Sequence, residues 1–450
     1  MNRRKFIRNA GIAGIAGAGA FAVPYILPSG RLFAATGRQL AGHVVYVLFA
    51  GGVRQQESIL QRYLDDSQGF PWAGNIMYNI FNGQSPTNKI VFGTDQGNGA
   101  TGGTPIPQIL SQTLETQGTV FREVQAQSAG HFGGLNNLLQ GSQVTTQGLK
   151  QKPINPTIFE YLRRHGGFPA SKVWFVGNGI GNGIPLLNYS NHPNYGAKYG
   201  ANFFAPTITF GNLGFEHLSN AKVYHPENEL DPMYQMKYFL DQSFANVGRG
   251  GDSLGNTEDE KQDIKAFMRS TYDRVAQNAI PFPTITENSD AVNIGFACEI
   301  MRWFKPAITV VNLSAVDGCH SDFTGYLRAL HRADHAVGHL WNYIQTQVPE
   351  MAGDTVMIAS PECGRNLNHN PIKDVNDWYA YDHSDDNASR VFTVMAGPGV
   401  PQNLSIGSEA NPIGFTSDNV PTIGEILGVK NEIMSAGFLQ PQSVSLFDRI

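Results

Sequence analysis

Two apolar runs, AITVVNLSAVDGCHSDF over residues 307–323 and TVMIASPECGRN over 355–366, each break into a polar loop that carries acidic or histidine residues. A third cluster, YDHSDD over 381–386, precedes another apolar run, VFTVMAGPGV. Short runs rich in Val, Ile and Thr read as buried strands. In open α/β sheets, the groups that meet a ligand collect at the carboxyl ends of such strands. Asp317 and His320 follow the first strand, Glu362 follows the second, and Asp382 and His383 lie in the third cluster. This stretch is expected to form the core of a metal-binding hydrolase.

Outward from it, HVVYVLFAGG at 43–52 reads as a buried first strand entering a glycine turn, with helix-like SILQRYLDD behind it. Residues from about 69 to 119 read as a long loop or small insertion. A strand ending near Gln127 would put Ser128 and His131 at its carboxyl end, with two glycines after Phe132 allowing close backbone approach. Asn155 to Gly166 has the form of a capped helix, with Asn155 as N-cap, and KVWFV supplies another strand. GNGIGNG does not fit GxGxxG and no helix follows it, so it reads as a loop.

Residues from about 185 to 284 read as an insertion that includes a helix with a capping box, Thr257 with Glu260. SDAVNIGFACEIMRWFKP reads as an amphipathic helix. Apolar residues from Phe323 to Ile344 recur at helical spacing and predict a long helix packed on the sheet. His331, His335 and His339 lie four apart on that helix, but no glutamate follows His331 as HExxH requires, so they read as a polar helix face. TSDNVPTIGEILGV, with Asp418 near the cap, closes the domain. Strands alternating with helices predict a doubly wound, mostly parallel central sheet flanked by helices.

At the N-terminus, Arg3 and Arg4 precede GIAGIAGAGAFAVPYIL, too short and glycine-rich for a membrane span. Residues 1–35 resemble a twin-arginine export signal, with cleavage between Ala22 and Ala35 or retention as an anchor. That reading makes the twin-arginine translocase a partner, the location periplasmic or extracellular, and 36–450 a single α/β domain. A formal charge of −5 over 450 residues offers no basic surface for nucleic acid, and 41% hydrophobic content supports a large core. Cys298, Cys319 and Cys363 are too few for a disulfide scaffold and lack CxxC spacing. Cys319 and Cys363 could pair if their strands are neighbours; buried thiols are the simpler reading.

Asp317, His320, Glu362, Asp382 and His383 offer oxygen and imidazole donors suited to zinc, manganese or a similar divalent ion, calcium included. Such an ion, or a pair about 3.5 to 4 Å apart, would stabilise the attacking and leaving oxygens of a displacement at phosphorus or sulfur. Taken together, Asp317 with His320, Ser360-Pro361-Glu362-Cys363-Gly364-Arg365, Asp382-His383 and PTIGEILG resemble the alkaline phosphatase and sulfatase superfamily. The resemblance is nearest to its branch of twin-arginine-exported bacterial proteins, whose signatures are WDTH, SEFGR and TDHG.

The resemblance implies an alkaline phosphatase-like fold, with Asp317, His320 and His383 at one metal and Glu362 at a second. It implies a small anionic ester as substrate, while the Tyr, Asn and Trp content of the insertion separately suggests a glycan-binding or glycan-modifying protein. Arg54 stands where the superfamily has a ligand Asp, and Cys363 where it has His. No CxPxR stands at Cys298 or Cys319, which disfavours sulfatase-type formylglycine chemistry. Ser58 and Ser128 are the hydroxyl candidates, and Arg365 could pair with an anionic substrate oxygen or brace Glu362 or Asp382. The alternative is a catalytically degenerate relative serving as an exported binding or surface-assembly module.

Overall fold

The computed structural model describes residues 39–62, 74–84, 106–142, 153–177, 187–206, 255–284 and 289–450. Residues 1–35, read above as an export signal, much of the 69–119 loop, most of GNGIGNG and the middle of the 185–284 insertion lie outside the described residues.

Eight strands form one sheet: β1 (His43–Phe49), β2 (Gly118–Gln125), β3 (Val173–Val176), β4 (Asn202–Phe204), β5 (Ile308–Leu313), β6 (Thr355–Pro361), β7 (Arg390–Ala396) and β8 (Leu404–Ile406). They lie in the order β4-β3-β5-β1-β6-β7-β2-β8. Strand β7 runs antiparallel to both β6 and β2, and the other pairings are parallel. This is the mostly parallel α/β sheet expected.

Alternation along β1 decides the packing. Val45, Val47 and Phe49 enter one apolar core, while Val44, Tyr46 and Leu48 enter the other. A strand buried on both faces must read as one unbroken apolar run, which is how HVVYVLF reads. The first core takes residues of α4 (Glu258–Ala276), α5 (Ser289–Phe304) and α6 (Phe323–Gln347). The second takes residues of α2 (His131–Gln140), α3 (Ile158–His165), α7 (Asn419–Ile426) and α8 (Lys430–Ser435). Helix α1 (Leu114–Gln117) is a single turn before β2.

Some local expectations change. Of the expected helix SILQRYLDD, residues 58–62 form a turn, a bend and coil, with Gln61 at φ +53°, and 63–66 lie outside the described residues. Thr157, not Asn155, caps α3, because Glu160 accepts both the Thr157 N–H at 2.7 Å and its hydroxyl at 2.9 Å. The short edge strand β8 is too brief, at three residues, to carry a periodic signal. The Thr257–Glu260 capping box is present at α4.

The three histidines of α6 do not converge on one point. His331 Nδ1 meets the Ile76 carbonyl at 2.8 Å and its Nε2 accepts from Ile106 N–H at 3.0 Å, while His339 Nε2 meets the Pro281 carbonyl at 2.9 Å. All three cysteines are buried free thiols, so Cys319 and Cys363 are unpaired by any disulfide.

Candidate functional site

The topology brings five chain segments to one edge. Strands β1, β5, β6 and β2 deliver their carboxyl ends there, and the antiparallel β7 begins there. The turn Ala315–His320 after β5 carries Asp317 and His320, and buried Asp290 anchors it by accepting Ser314 N–H at 2.8 Å and Ala315 N–H at 3.0 Å. Glu362 follows β6 directly. His131 opens α2 just past β2. The loop entering β7 carries Asp382 and His383, tied down by Asn366 N–H to the Asp382 carbonyl at 2.7 Å and by Tyr381 N–H to the Cys319 carbonyl at 3.0 Å.

Two glycines let β1 approach this cluster. Gly51 has φ +124° and Gly52 has φ +82°, a region side chains rarely adopt. A Cβ on Gly51 would also stand 2.5 Å from the Asp317 backbone nitrogen. Gly134 plays the same part on α2, where a Cβ would stand 2.6 Å from the Glu362 carbonyl. The sequence HFGG therefore serves to press the first turn of α2 against the end of β6.

At the centre is a triangle of donor atoms. His131 Nε2 lies 3.1 Å from Asp317 Oδ1, His320 Nε2 lies 3.3 Å from the same oxygen, and the two nitrogens are 3.5 Å apart. Four ligands at about 2.0–2.1 Å on a tetrahedron stand about 3.3–3.4 Å from one another. The triangle thus has the dimensions of one tetrahedral face. His383 faces it: the ligand nitrogens of His131, His320 and His383 lie within 4.8 Å of one another. His383 Nδ1 is buried without a hydrogen-bond partner. With three imidazoles, a carboxylate and an orphaned buried nitrogen, the residues present fit a divalent ion.

Each of the first two imidazoles is braced from behind. His131 Nδ1 lies 2.7 Å from Glu362 Oε1, which also accepts Gly51 N–H at 2.5 Å. His320 Nδ1 lies 2.7 Å from Asp382 Oδ1. A carboxylate on Nδ1 holds the proton there and turns Nε2 toward the ion. Glu362 and Asp382, read from the sequence as ligands, each face an imidazole Nδ1 in the geometry of a brace, and His131, which the sequence reading left out of the metal set, stands at a corner of the triangle. Its one advance signal was its place at the end of a strand followed by paired glycines.

Electrostatics follow this wiring. Burial opposes charge on His131, yet hydrogen bonds with Asp317, Cys363 and Glu362 push its pKa up to about 12. Asp317 is held far below the carboxylate range: burial raises it, but His131, His320 and the Arg365 charge outweigh that. His383 is lowered to about 4 by burial and by the charges of His131, Arg365 and His320. Burial raises Glu362, against the pull of His131 and Gly51.

The three catalytic candidates fare differently. Arg365 is fully buried, and its hydrogen bonds reach neither Glu362 nor Asp382. It donates to Asp317 Oδ1 at 2.9 Å, to the Tyr381 carbonyl at 3.2 Å and to the Gly51 carbonyl. Ser58 is also fully buried and gives its hydroxyl to the Arg54 carbonyl at 3.0 Å. Ser128 forms a local turn with Gly130, its oxygen 3.2 Å from Gly130 N–H. Arg54, where a ligand Asp was expected, pairs with buried Glu57 at 2.5 Å and lies over the Tyr381 ring at 3.7 Å.

No protein-family model matches the chain, and no curated protein matches it. Similarity to solved structures is found in the alkaline phosphatase superfamily. A superfamily protein from Vibrio parahaemolyticus has 11% identity and a TM-score of 0.39, over 95% of this chain and 76% of that one. The phosphonate monoester hydrolase from Silicibacter pomeroyi has 12% identity and a TM-score of 0.40, over 90% and 76%. The alkaline phosphatase of an Antarctic bacterium has 11% identity and a TM-score of 0.41, over 87% and 99%. Likeness at this level says nothing about activity.

Proposed function

We propose that the chain is an exported, metal-dependent hydrolase of phosphate or sulfate esters. The observation that carries this reading is the donor triangle of His131, His320 and Asp317, faced by His383 at the carboxyl edge of the sheet. His131 Nε2, His320 Nε2, His383 and Asp317 Oδ1 would hold a divalent ion, zinc by donor type. Such an ion supplies Lewis-acid polarisation of an ester oxygen and a lowered pKa for water. The chain's own part is to hold the imidazole tautomers through Glu362 and Asp382 and to keep Asp317 ionised beside Arg365. His131 and His320 keep 15% and 37% of their side-chain surface open, so a small anionic ester, free or on a glycan, can reach them.

The arginine pair at the N-terminus supports export through the twin-arginine translocase to the periplasm or beyond. No helix among the described residues is long and apolar enough to cross a membrane. The placement of Ser58 and Ser128 favours a second reading, an exported binding or surface-assembly module that retains the ion without turnover, since Ser58 is buried against the Arg54 carbonyl and Ser128 Oγ accepts from Gly130 N–H.

Elemental mass spectrometry on natively exported protein, beside an Asp317→Ala, His383→Ala double variant, separates the cases. Stoichiometric metal in the wild type that is lost in the variant, together with turnover in an ester screen, supports the hydrolase. Bound metal without turnover on any ester supports the module. Absence of metal in both samples rejects the metal centre.

A further inference from the structure

Resting on that metal centre, we infer that the site takes a single divalent ion and that the buried Arg365 guanidinium supplies the second cation that a two-ion centre would hold. Asp317 Oδ1, the oxygen that both imidazoles approach, already meets a buried cation. Arg365 Nη2 stands 2.9 Å from Asp317 Oδ1 and also donates to the Gly51 carbonyl. Glycine at 52 lets this guanidinium pack against the end of β1, since a Cβ there would stand 3.3 Å from Arg365 Nε and 2.8 Å from the Gly364 carbonyl.

The remaining donor set does not offer a second position. His131, Glu362 and Cys363 lie close enough to suggest one. His131 Nδ1, however, is committed to Glu362 Oε1 at 2.7 Å, and an imidazole nitrogen that carries a donated proton has no lone pair for a metal. Arg54 is paired with Glu57 at 2.5 Å, so that pair adds no net charge to the site.

Charge balance leads to the same count. Asp317, Glu362 and Asp382 are the carboxylates in contact with these imidazoles and with Arg365. One divalent ion and one guanidinium cancel their three negative charges. A second divalent ion would leave two positive charges uncompensated around a partly buried site, where opposing charges are weakly screened.

The test is metal counting on the folded chain. Wild-type protein is equilibrated with excess zinc, and separately with manganese, freed of loose ions and measured by elemental mass spectrometry against amino-acid analysis. One ion per chain is expected. Two per chain would overturn the inference while leaving the metal centre standing, whereas zero would remove the centre on which it rests. Arg365→Gln, accepted for measurement only if its near-ultraviolet circular dichroism matches wild type, is expected to bind a second ion or to hold the first at least about tenfold more tightly, since a neighbouring positive charge has gone. An unchanged count at unchanged affinity would show that Arg365 does not act as a cation for the site. Should that variant not fold, the wild-type count decides alone.

Discussion

His131 Nδ1 and Glu362 Oε1 stand 2.7 Å apart across the junction of α2 and β6, and the same oxygen accepts Gly51 N–H from the end of β1. One carboxylate thus locks three elements together and sets which imidazole nitrogen faces the donor triangle. Partners of this kind are worth 10- to 100-fold in metal affinity, by general experience of metal sites. Glu362→Gln is expected to weaken zinc binding by about that factor while leaving the count unchanged, read by competition with a chromogenic chelator. Unaltered affinity would mean that Glu362 does not orient His131.

His131 should be as indispensable as the residues recognised from the sequence. His131→Ala is expected to lose the ion as completely as His320→Ala, because each supplies one corner of the triangle. Retention of stoichiometric metal by His131→Ala would return Glu362 to the ligand role first assigned to it.

Metal binding should depend on pH with a definite sign. Without an ion, the His131 pKa stands at about 12, so the imidazole is protonated at neutral pH and the ion must displace that proton. Affinity should therefore rise by at least about tenfold per pH unit between pH 6 and 8, with at least one proton released. His383, lowered to about 4, is already neutral there and adds no further dependence. Calorimetry in buffers of differing ionisation enthalpy counts the proton directly, and a value of zero would contradict the wiring.

Gly51→Ala should damage fold and site together. Its φ of +124° is strained for alanine, at about 1–3 kcal/mol. The added Cβ would also stand 2.5 Å from the Asp317 backbone nitrogen. A loss of at least about 2 kcal/mol in denaturant unfolding is expected, with weakened metal binding. Wild-type stability in this variant would show that the turn relaxes freely.

Asp334 is a second buried carboxylate with a purely structural task. It accepts Asn79 N–H, Ile80 N–H and the Asn79 amide, holding the turn at residues 79–80 against α6. Asp334→Ala orphans these donors and should cost about 3 kcal/mol or more. Burial raises its pKa to about 7, against those hydrogen bonds. Because the folded value is above the unfolded one of about 3.9, the folded chain binds the extra proton between those two pH values. Acidification from pH 7 toward 4 should therefore stabilise wild type relative to the non-titrating Asp334→Asn, as thermal melts across that range would show.

The amino-acid sequence by itself determined the strands and the polar breaks at their ends. HVVYVLF, AITVVNL and TVMIASP are apolar without interruption because both faces of a central strand are buried, and that signal is local. It also set Asp317, His320, Asp382 and His383 at strand or loop positions that a parallel sheet gathers at one edge. Tertiary structure alone decided which side chains of that set face one another. Whether a carboxylate ligates or braces depends on which nitrogen it faces across a few ångströms, and Glu362 and His131 are 231 residues apart along the chain. The same holds for Arg365: nothing near it in sequence shows that its guanidinium turns inward to Asp317 and Gly51, since burial of a charge is settled by the elements that close over it.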